Sequence, residues 1–260
     1  MAGVRLVAFL AVSLFATLVS GGLNAVHVNS APFRRWYYRC VTHVVGLKVV
    51  VRGAQSLTKP QLLVSNHISY FDIVALGSLV AGDFVAKADI AKWPIFGVMA
   101  KAGRTVFIDR RRSATSAARD QIQERLDAGD TLIMFPESTS GDGNRMMPFR
   151  SALFTVAERH VIDAAGIARS VVVQPATIAY TRLNGLPLGV GWRPYVAWYG
   201  DMEMFPHLWR VAKLGTLTVE ITFHPPVTLA DFPTRKALAS HCDRVVRAGL
   251  ANLLTGRLAA

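Results

Sequence analysis

Short apolar runs alternate with longer stretches of helical spacing along most of the chain, which predicts strands that alternate with helices. The apolar runs are rich in β-branched residues and end in turn residues, as buried strands do. The predicted strands span residues 49–52, 62–65, 84–86, 105–108, 131–135, 171–180, 195–199 and 217–223. The predicted helices span residues 88–102, with Pro94 kinking or splitting that helix, 113–128, 151–165 and 235–254.

This alternation is typical of an α/β fold, a single domain with a mostly parallel sheet flanked by helices. In such a sheet the functional residues gather outside the carboxyl ends of the strands. His67, Arg110 and Glu137 each come directly after a predicted strand. We therefore expect one crevice to collect all three side chains.

The N-terminal segment is apolar enough to enter a membrane. Residues 6–32 contain no Lys, Arg, Asp or Glu, and residues 6–19 are nearly all apolar. About 15 firmly apolar residues precede the glycines at positions 21 and 22, against the ~20 that a span needs. A marginal span and an anchor embedded in one leaflet both fit. A cleaved signal peptide is disfavoured, because no convincing small-residue cleavage site follows the apolar run.

Basic and aromatic residues follow this apolar segment. Arginines at positions 34, 35 and 39 stand beside Trp36, Tyr37 and Tyr38, a mixture typical of the lipid headgroup region, although an amphipathic helix packed on the domain would show the same pattern. We therefore divide the chain into a membrane anchor with an interfacial segment, residues 1–45, and the α/β domain, residues 46–260. The downstream arginines predict that this domain faces the cytoplasm at the inner membrane.

Charge and cysteine content narrow the class of protein further. The net charge of +12 suits an anionic partner, either phospholipid or nucleic acid. The long apolar segment favours phospholipid as the partner. Nucleic-acid binders instead interleave basic residues with stacking aromatics or present a recognition helix. The two cysteines offer neither a disulfide framework nor the spacing of metal ligands, so we expect free thiols in a reducing compartment.

The most informative stretch joins the strand at residues 62–65 to a new helix. Ser69 and Asp72 have the spacing of a capping box at a helix start. Residues five apart on one helix lie about 500° apart in rotation. His67 can therefore meet Asp72 only if it precedes the helix and folds back over the first turn. Asp72 would then orient the imidazole as a general base. The alternative is an ordinary turn histidine beside a capping acid.

Four blocks of sequence resemble the glycerolipid acyltransferases, the family of 1-acylglycerol-3-phosphate acyltransferases. Residues 66–72, Asn-His-Ile-Ser-Tyr-Phe-Asp, are similar to the family's N-H-x4-D motif. Residues 103–110 are similar to its second block, and Phe-Pro-Glu-Ser-Thr at residues 135–139 to its third. Val-Gln-Pro-Ala at residues 173–176 resembles the fourth block. Order and spacing agree over residues 45–225.

The resemblance implies a membrane-associated O-acyltransferase. It would move a fatty acyl group from coenzyme A or acyl carrier protein to the hydroxyl of a lyso-lipid, 1-acylglycerol-3-phosphate in the first place. His67 would be the base and Asp72 its orienting partner. Transfer would be direct, without a covalent acyl-enzyme, and neither a cofactor nor a metal ion is implied.

The resemblance also assigns the residues that bind the acceptor. They would be Arg110, Glu137, Ser138 and Thr139, with Lys87 as a further candidate. Ser138 stands where the family usually has glycine. Residues 198–202, Trp-Tyr-Gly-Asp-Met, are similar to the branch that includes lyso-ornithine lipid acyltransferases. In that branch the acceptor is an amide-linked hydroxy fatty acid, and no phosphate is present.

Two other functions remain open from the sequence. A lipid esterase is disfavoured, because Phe-Pro-Glu-Ser-Thr lacks the glycines of a G-x-S-x-G nucleophile elbow. A catalytically silent lipid-binding protein would keep the membrane segment and would not depend on His67.

Overall fold

The computed structural model describes residues 2–108, 116–137, 139–162, 166 and 168–256. In chain order the elements are α1 (Ala2–Ala25), α2 (Ala31–Val45), β1 (Leu47–Arg52), β2 (Gln61–Ser65), α3 (Phe71–Leu79), β3 (Asp83–Lys87), α4 (Phe96–Ala102), β4 (Val106–Ile108), α5 (Ser116–Asp127), β5 (Thr131–Met134), β6 (His160–Ile162), β7 (Ala168–Ser170), β8 (Val172–Leu183), β9 (Leu186–Pro187), α6 (Arg193–Val196), α7 (Met204–Ala212), β10 (Leu217–Phe223) and α8 (Arg235–Thr255). Three 3-10 helices are Ala88–Lys92, Ser151–Glu158 and Leu229–Asp231.

The main sheet has the strand order β1-β10-β8-β2-β5-β3-β4, with β9 paired to β8. The pairs of β2 with β5 and β8, of β3 with β4 and β5, and of β1 with β10 are parallel. The pair of β8 with β10 is antiparallel. The α/β fold with a mostly parallel sheet is thus confirmed, and the carboxyl ends of β2, β3 and β5 lie at one edge.

The central strand β2 is buried on both faces, which explains its continuous apolar sequence. On one face, Leu62 and Val64 belong to the core that includes α5, the 3-10 helix Ser151–Glu158 and α8. On the other face, Leu63 belongs to the core under α3 and α7. This two-sided burial holds the end of β2, where the turn at residues 66–70 begins, inside the domain.

Two predicted elements are wrong. The helix predicted at residues 151–165 is a 3-10 helix that ends at Glu158, because the β-branched Val161 and Ile162 lie in β6, which pairs with β7. The strand predicted at residues 195–199 is the short helix α6 followed by irregular chain. Pro194 suits the first turn of a helix, and the amide of Trp198 bonds to the carbonyl of Ile68 instead of to a strand.

The helix predicted at residues 88–102 is split at Pro94 into a 3-10 helix and α4, as expected. Residues 109–115, where the helix predicted at 113–128 begins, lie outside the described residues, and α5 covers residues 116–127 of this prediction.

The N-terminal helix α1 is long and apolar enough to cross a membrane by length and composition. It nevertheless lies against the domain, because both of its ends are hydrogen-bonded there. Arg5 donates to the carbonyl of Gly215 over 3.0 Å, and Asn24 donates to the carbonyl of Ala102 over 2.9 Å. Along its middle, Ser13 and the hydroxyl of Tyr37 on α2 are 2.9 Å apart. The outward face of α1 leaves large apolar side chains exposed, among them Val7, Leu14 and Leu18.

A buried ionic network ties α2 to the sheet. Asp83, the first residue of β3, is 3% exposed and pairs with Arg34 of α2 and with Arg125 of α5. Arg104 lies 3.7 Å from the same carboxylate and 3.2 Å from Asp130. A buried guanidinium is stable only where a carboxylate neutralises it. Asp83 therefore holds α2 in place on the sheet.

We expect Asp83→Asn to lower the free energy of unfolding by about 3 kcal/mol, because it leaves the buried Arg34 without its counter-charge. The matched control is Glu158→Gln, which breaks a half-exposed pair with Arg235 at 3.1 Å and should cost less than about 1 kcal/mol. Denaturant unfolding of both variants in detergent measures the two changes. Equal losses would show that the network adds nothing beyond a surface ion pair.

Candidate active site

The turn at residues 66–70 follows β2 and is hydrogen-bonded to the neighbouring strand β8. The side chain of Asn66 donates to the carbonyl of Ile178 over 2.9 Å and accepts the amide of the same residue over 2.8 Å. Asn66 is buried, and this reciprocal pair satisfies it as a strand partner would. The turn that follows is therefore fixed relative to the sheet.

His67 precedes α3 and folds back over its first turn, as the spacing requires. The Nδ1 atom of its ring lies 2.8 Å from Oδ2 of Asp72. The backbone amides of Ile68 and Ser69 donate to the same oxygen over 2.6 Å and 2.9 Å. The hydroxyl of Tyr180, on β8, donates to Oδ1 over 2.7 Å. Four donors thus converge on a carboxylate with no solvent exposure.

The predicted capping box forms only in part. The Asp72 carboxylate accepts the Ser69 amide, but the N-cap residue of α3 is Tyr70, and the Ser69 hydroxyl has no hydrogen-bond partner among the described atoms. Asp72 therefore stabilises the turn and orients the imidazole, and it does not complete a capping box for α3.

The ring of His67 is held on its face as well as at its edge. It stacks on Phe135 with the centroids 4.2 Å apart and the planes at 14°. A carboxylate can only accept a hydrogen bond, so we assign the ring proton to Nδ1, and the neutral ring then presents the lone pair of Nε2. The side chain is 21% exposed and lines a cavity, so a bound hydroxyl can reach it.

Glu137 lies beneath the turn and is 1% exposed. One of its carboxylate oxygens accepts the backbone amide of His67 over 2.7 Å, and the other accepts the amide of Met147. Burial raises the pKa of Glu137 to about 8, an effect that these two donors partly offset. The acid thus joins the histidine turn to the loop after β5, and this geometry favours a positioning role over contact with the acceptor.

An apolar cavity of about 200 Å³ adjoins His67. Its walls come from α1, α2, α3, α4 and α7, so the N-terminal helices help to enclose it. Among the residues that line it are Phe9, Tyr38, Phe71, Trp93, Met99, Met204 and Leu208. Such a lining can hold an alkyl chain but offers little to a charged headgroup.

The remaining predicted acceptor residues are only partly described. Lys87 ends β3, where it pairs with Ile108 of β4, and it is exposed at the same edge of the sheet as His67. Thr139 is also exposed. Arg110 and Ser138 lie outside the described residues. The structure brings together His67, Asp72 and Glu137, and the acceptor-binding roles stay predictions.

Sequence reasoning missed the side chains that hold the turn from a distance. Tyr180 lies in a predicted strand, and nothing in its local sequence marks it as a partner of Asp72. Ser140 donates to the carbonyl of Trp198, whose amide bonds to Ile68. The resemblance at residues 198–202 was the one signal that pointed to this segment.

Comparison with known proteins decides the family. The family model described as Acyltransferase matches residues 48–179, more than half of the 260-residue chain. The chain belongs to this acyltransferase family. The match covers His67, Asp72, Lys87 and Glu137, and together with the relatives below it identifies the protein as an acyltransferase.

The acyltransferase is similar over most of its length to bacterial relatives. A lyso-ornithine lipid O-acyltransferase of Brucella abortus is 42% identical over 223 residues, 85% of this chain and 83% of the relative. One from Rhizobium meliloti is 36% identical over 230 residues, 86% and 78% of the two chains. A 1-acyl-sn-glycerol-3-phosphate acyltransferase of Neisseria gonorrhoeae is 30% identical over 209 residues, 80% and 76%.

Among solved structures, the crystal structure of the 1-acyl-sn-glycerophosphate acyltransferase of Thermotoga maritima has the same fold. The TM-score is 0.56 and the sequence identity 20%, and the match covers 98% of this chain and all of the other.

We expect Glu137→Gln in the acyltransferase to lower kcat about 10- to 100-fold and to change KM little, because the amide group of glutamine cannot accept both backbone amides that hold the turn. Steady-state kinetics separate the two constants, with Glu158→Gln as the exposed control. A large rise in KM at unchanged kcat would instead place Glu137 in contact with the acceptor.

Proposed function

We propose that this membrane lysolipid acyltransferase uses His67 as the general base that activates the acceptor hydroxyl. The observation that carries the proposal is the 2.8 Å bond from Nδ1 of His67 to the buried Asp72, beside an apolar cavity. The bond fixes the ring so that Nε2 is the basic atom that a bound hydroxyl meets.

The reaction follows from this geometry. Nε2 takes the hydroxyl proton while the oxygen attacks the thioester carbonyl carbon. The tetrahedral intermediate then collapses, the carbon–sulfur bond breaks, and the imidazolium returns the proton to the leaving thiolate. Asp72 stabilises the imidazolium in between. We propose direct transfer, without a covalent acyl-enzyme, a metal ion or a cofactor.

We assign the apolar cavity to a fatty acyl chain of one of the two substrates. Burial of each methylene group contributes about 0.8 kcal/mol, so a cavity lined by aromatic and aliphatic side chains suits an alkyl chain. His67 lines this cavity, which would bring the end of the chain to the base.

The names of the relatives favour a lyso-ornithine lipid as the acceptor. Two relatives of that name reach 42% and 36% identity and a third has 29%, against 30% for the relative named for 1-acylglycerol-3-phosphate. The resemblance of residues 198–202 supports the same acceptor. 1-Acylglycerol-3-phosphate stays the second candidate, because residues 103–110 resemble the family block whose arginine would pair with phosphate.

We propose the inner membrane as the location, with the catalytic domain at its cytoplasmic side and acyl-coenzyme A or acyl carrier protein as the donor. The arginines at positions 34, 35 and 39 follow the apolar helix and support this orientation. Because both ends of α1 are hydrogen-bonded to the domain, α1 fits an anchor embedded in one leaflet better than a helix that spans the bilayer.

The test is an assay that offers a lyso-ornithine lipid and 1-acylglycerol-3-phosphate side by side, each with acyl-coenzyme A and acyl carrier protein as donor. We expect ester product with a lyso-ornithine lipid. His67→Ala should lower turnover by about 1,000-fold, because it removes the base.

The matched control is His43→Ala, since His43 is an exposed histidine on α2. Its turnover should stay near that of the unmodified protein. Ester product from none of the four combinations, or full turnover by folded His67→Ala, would contradict the proposed function.

A further inference from the structure

Four large apolar side chains form an exposed patch on the outer side of α4 and α7. Ile95 precedes α4, Val98 lies on it, and Phe205 and Trp209 lie on α7. They are 50%, 58%, 63% and 44% exposed, respectively. The ring of Phe205 lies 6.3 Å from that of Phe96, which joins the two helices. We call these four residues the α4–α7 patch.

The helix α7 is apolar on two sides at once. Leu208 and Val211 are buried against the domain, and Leu208 also lines the cavity beside His67. Phe205 and Trp209, four positions apart, share a face that points away from the domain. Burial in the core explains the first side of the helix. On the second side Phe205 and Trp209 stay 63% and 44% exposed, although Phe205 contacts Phe96 and Trp209 contacts Lys213.

The two helices that carry the α4–α7 patch both contact α1. Arg5 near its start bonds to Gly215, just after α7, and Asn24 near its end bonds to Ala102, the last residue of α4. Because α1 contacts both helices, a membrane that embeds α1 lies close to α4 and α7.

Basic and aromatic residues border the patch. The ammonium of Lys213 lies 5.0 Å from the ring centroid of Trp209, and the guanidinium of Arg210 lies 5.7 Å from that of Tyr195. Tyr195 is itself 46% exposed. Arginine or lysine beside tryptophan and tyrosine, at the margin of an apolar surface, is typical of the region where phospholipid headgroups meet their acyl chains.

We propose that the α4–α7 patch is a second membrane contact, which inserts next to α1 into the headgroup boundary of an anionic phospholipid leaflet. The proposal rests on membrane association and not on the identity of the acceptor. Phe96 and Met204, neighbours of Ile95 and Phe205, line the cavity. Insertion would therefore bring the cavity wall to the depth of the lipid chains, so that the alkyl tail of a lysolipid could enter without crossing water.

The first test places an environment-sensitive fluorophore on the patch. Phe205→Cys in a Cys40→Ser background carries a nitrobenzoxadiazole group, while the remaining Cys242 is fully buried. Leu57→Cys is the matched control, since Leu57 is 86% exposed in the loop before β2. The vesicles contain phosphatidylethanolamine and phosphatidylglycerol.

We expect doxyl-labelled lipid to quench the fluorophore at position 205 at least about three-fold more than the fluorophore at position 57. Equal quenching at both positions would overturn the proposal. So would protection of position 205 by acyl carrier protein in the absence of vesicles, because the patch would then bind a protein. This readout does not depend on activity and stands even if no lysolipid is acylated.

A second variant tests the consequence for the substrate. Trp209→Glu should raise the KM for an acceptor presented in vesicles about five-fold, and should leave kcat/KM in detergent micelles within about two-fold. Leu57→Glu should change neither value. An unchanged KM on vesicles, with the protein folded, would overturn the proposal.

Discussion

The buried carboxylate of Asp72 is the constraint on which the active site depends. A charge without solvent exposure is stable only where donors replace the water that it has lost. The backbone of the turn supplies two of them, β8 supplies the hydroxyl of Tyr180, and the ring of His67 supplies the fourth. The hydrogen bond from the ring to this carboxylate also fixes the orientation of the imidazole. The same bonds therefore serve stability and catalysis.

Contacts from several elements hold the turn in the shape that this arrangement needs. Asn66 ties it to β8, Glu137 accepts the amide of His67, and Gly141 donates to the carbonyl of the same residue over 2.9 Å. The parallel sheet makes this convergence possible, because β2, β5 and β8 lie side by side and β2 and β5 end at the edge where the turn begins. The order of the strands therefore determines which residues meet at the turn after β2.

The sequence predicted the parts of this arrangement that are local. The run at residues 62–65 predicted β2, and the spacing of His67 and Asp72 predicted the folded-back imidazole, since both follow from the geometry of a short stretch of chain. The bond of Tyr180 could not be predicted, because it joins residues 108 positions apart. The prediction of a helix at residues 151–165 was wrong for a related reason. Residues 160–162 form β6 because they pair with β7, and local propensity contains no information about a partner strand.

The N-terminal helices link the chemistry to the membrane. Phe9 of α1 and Tyr38 of α2 line the cavity beside His67, and Arg34 of α2 pairs with the buried Asp83. The N-terminal helices are therefore part of the wall of this cavity.

The role of His67 as the general base is tested most directly by the tautomer of its ring, read from ¹⁵N NMR of histidine-labelled protein and assigned with His67→Ala. We expect the neutral ring to carry its proton on Nδ1, bonded to Asp72, and to leave Nε2 unprotonated. A neutral ring protonated on Nε2 would contradict this role, because that atom could not then accept a proton from the acceptor hydroxyl.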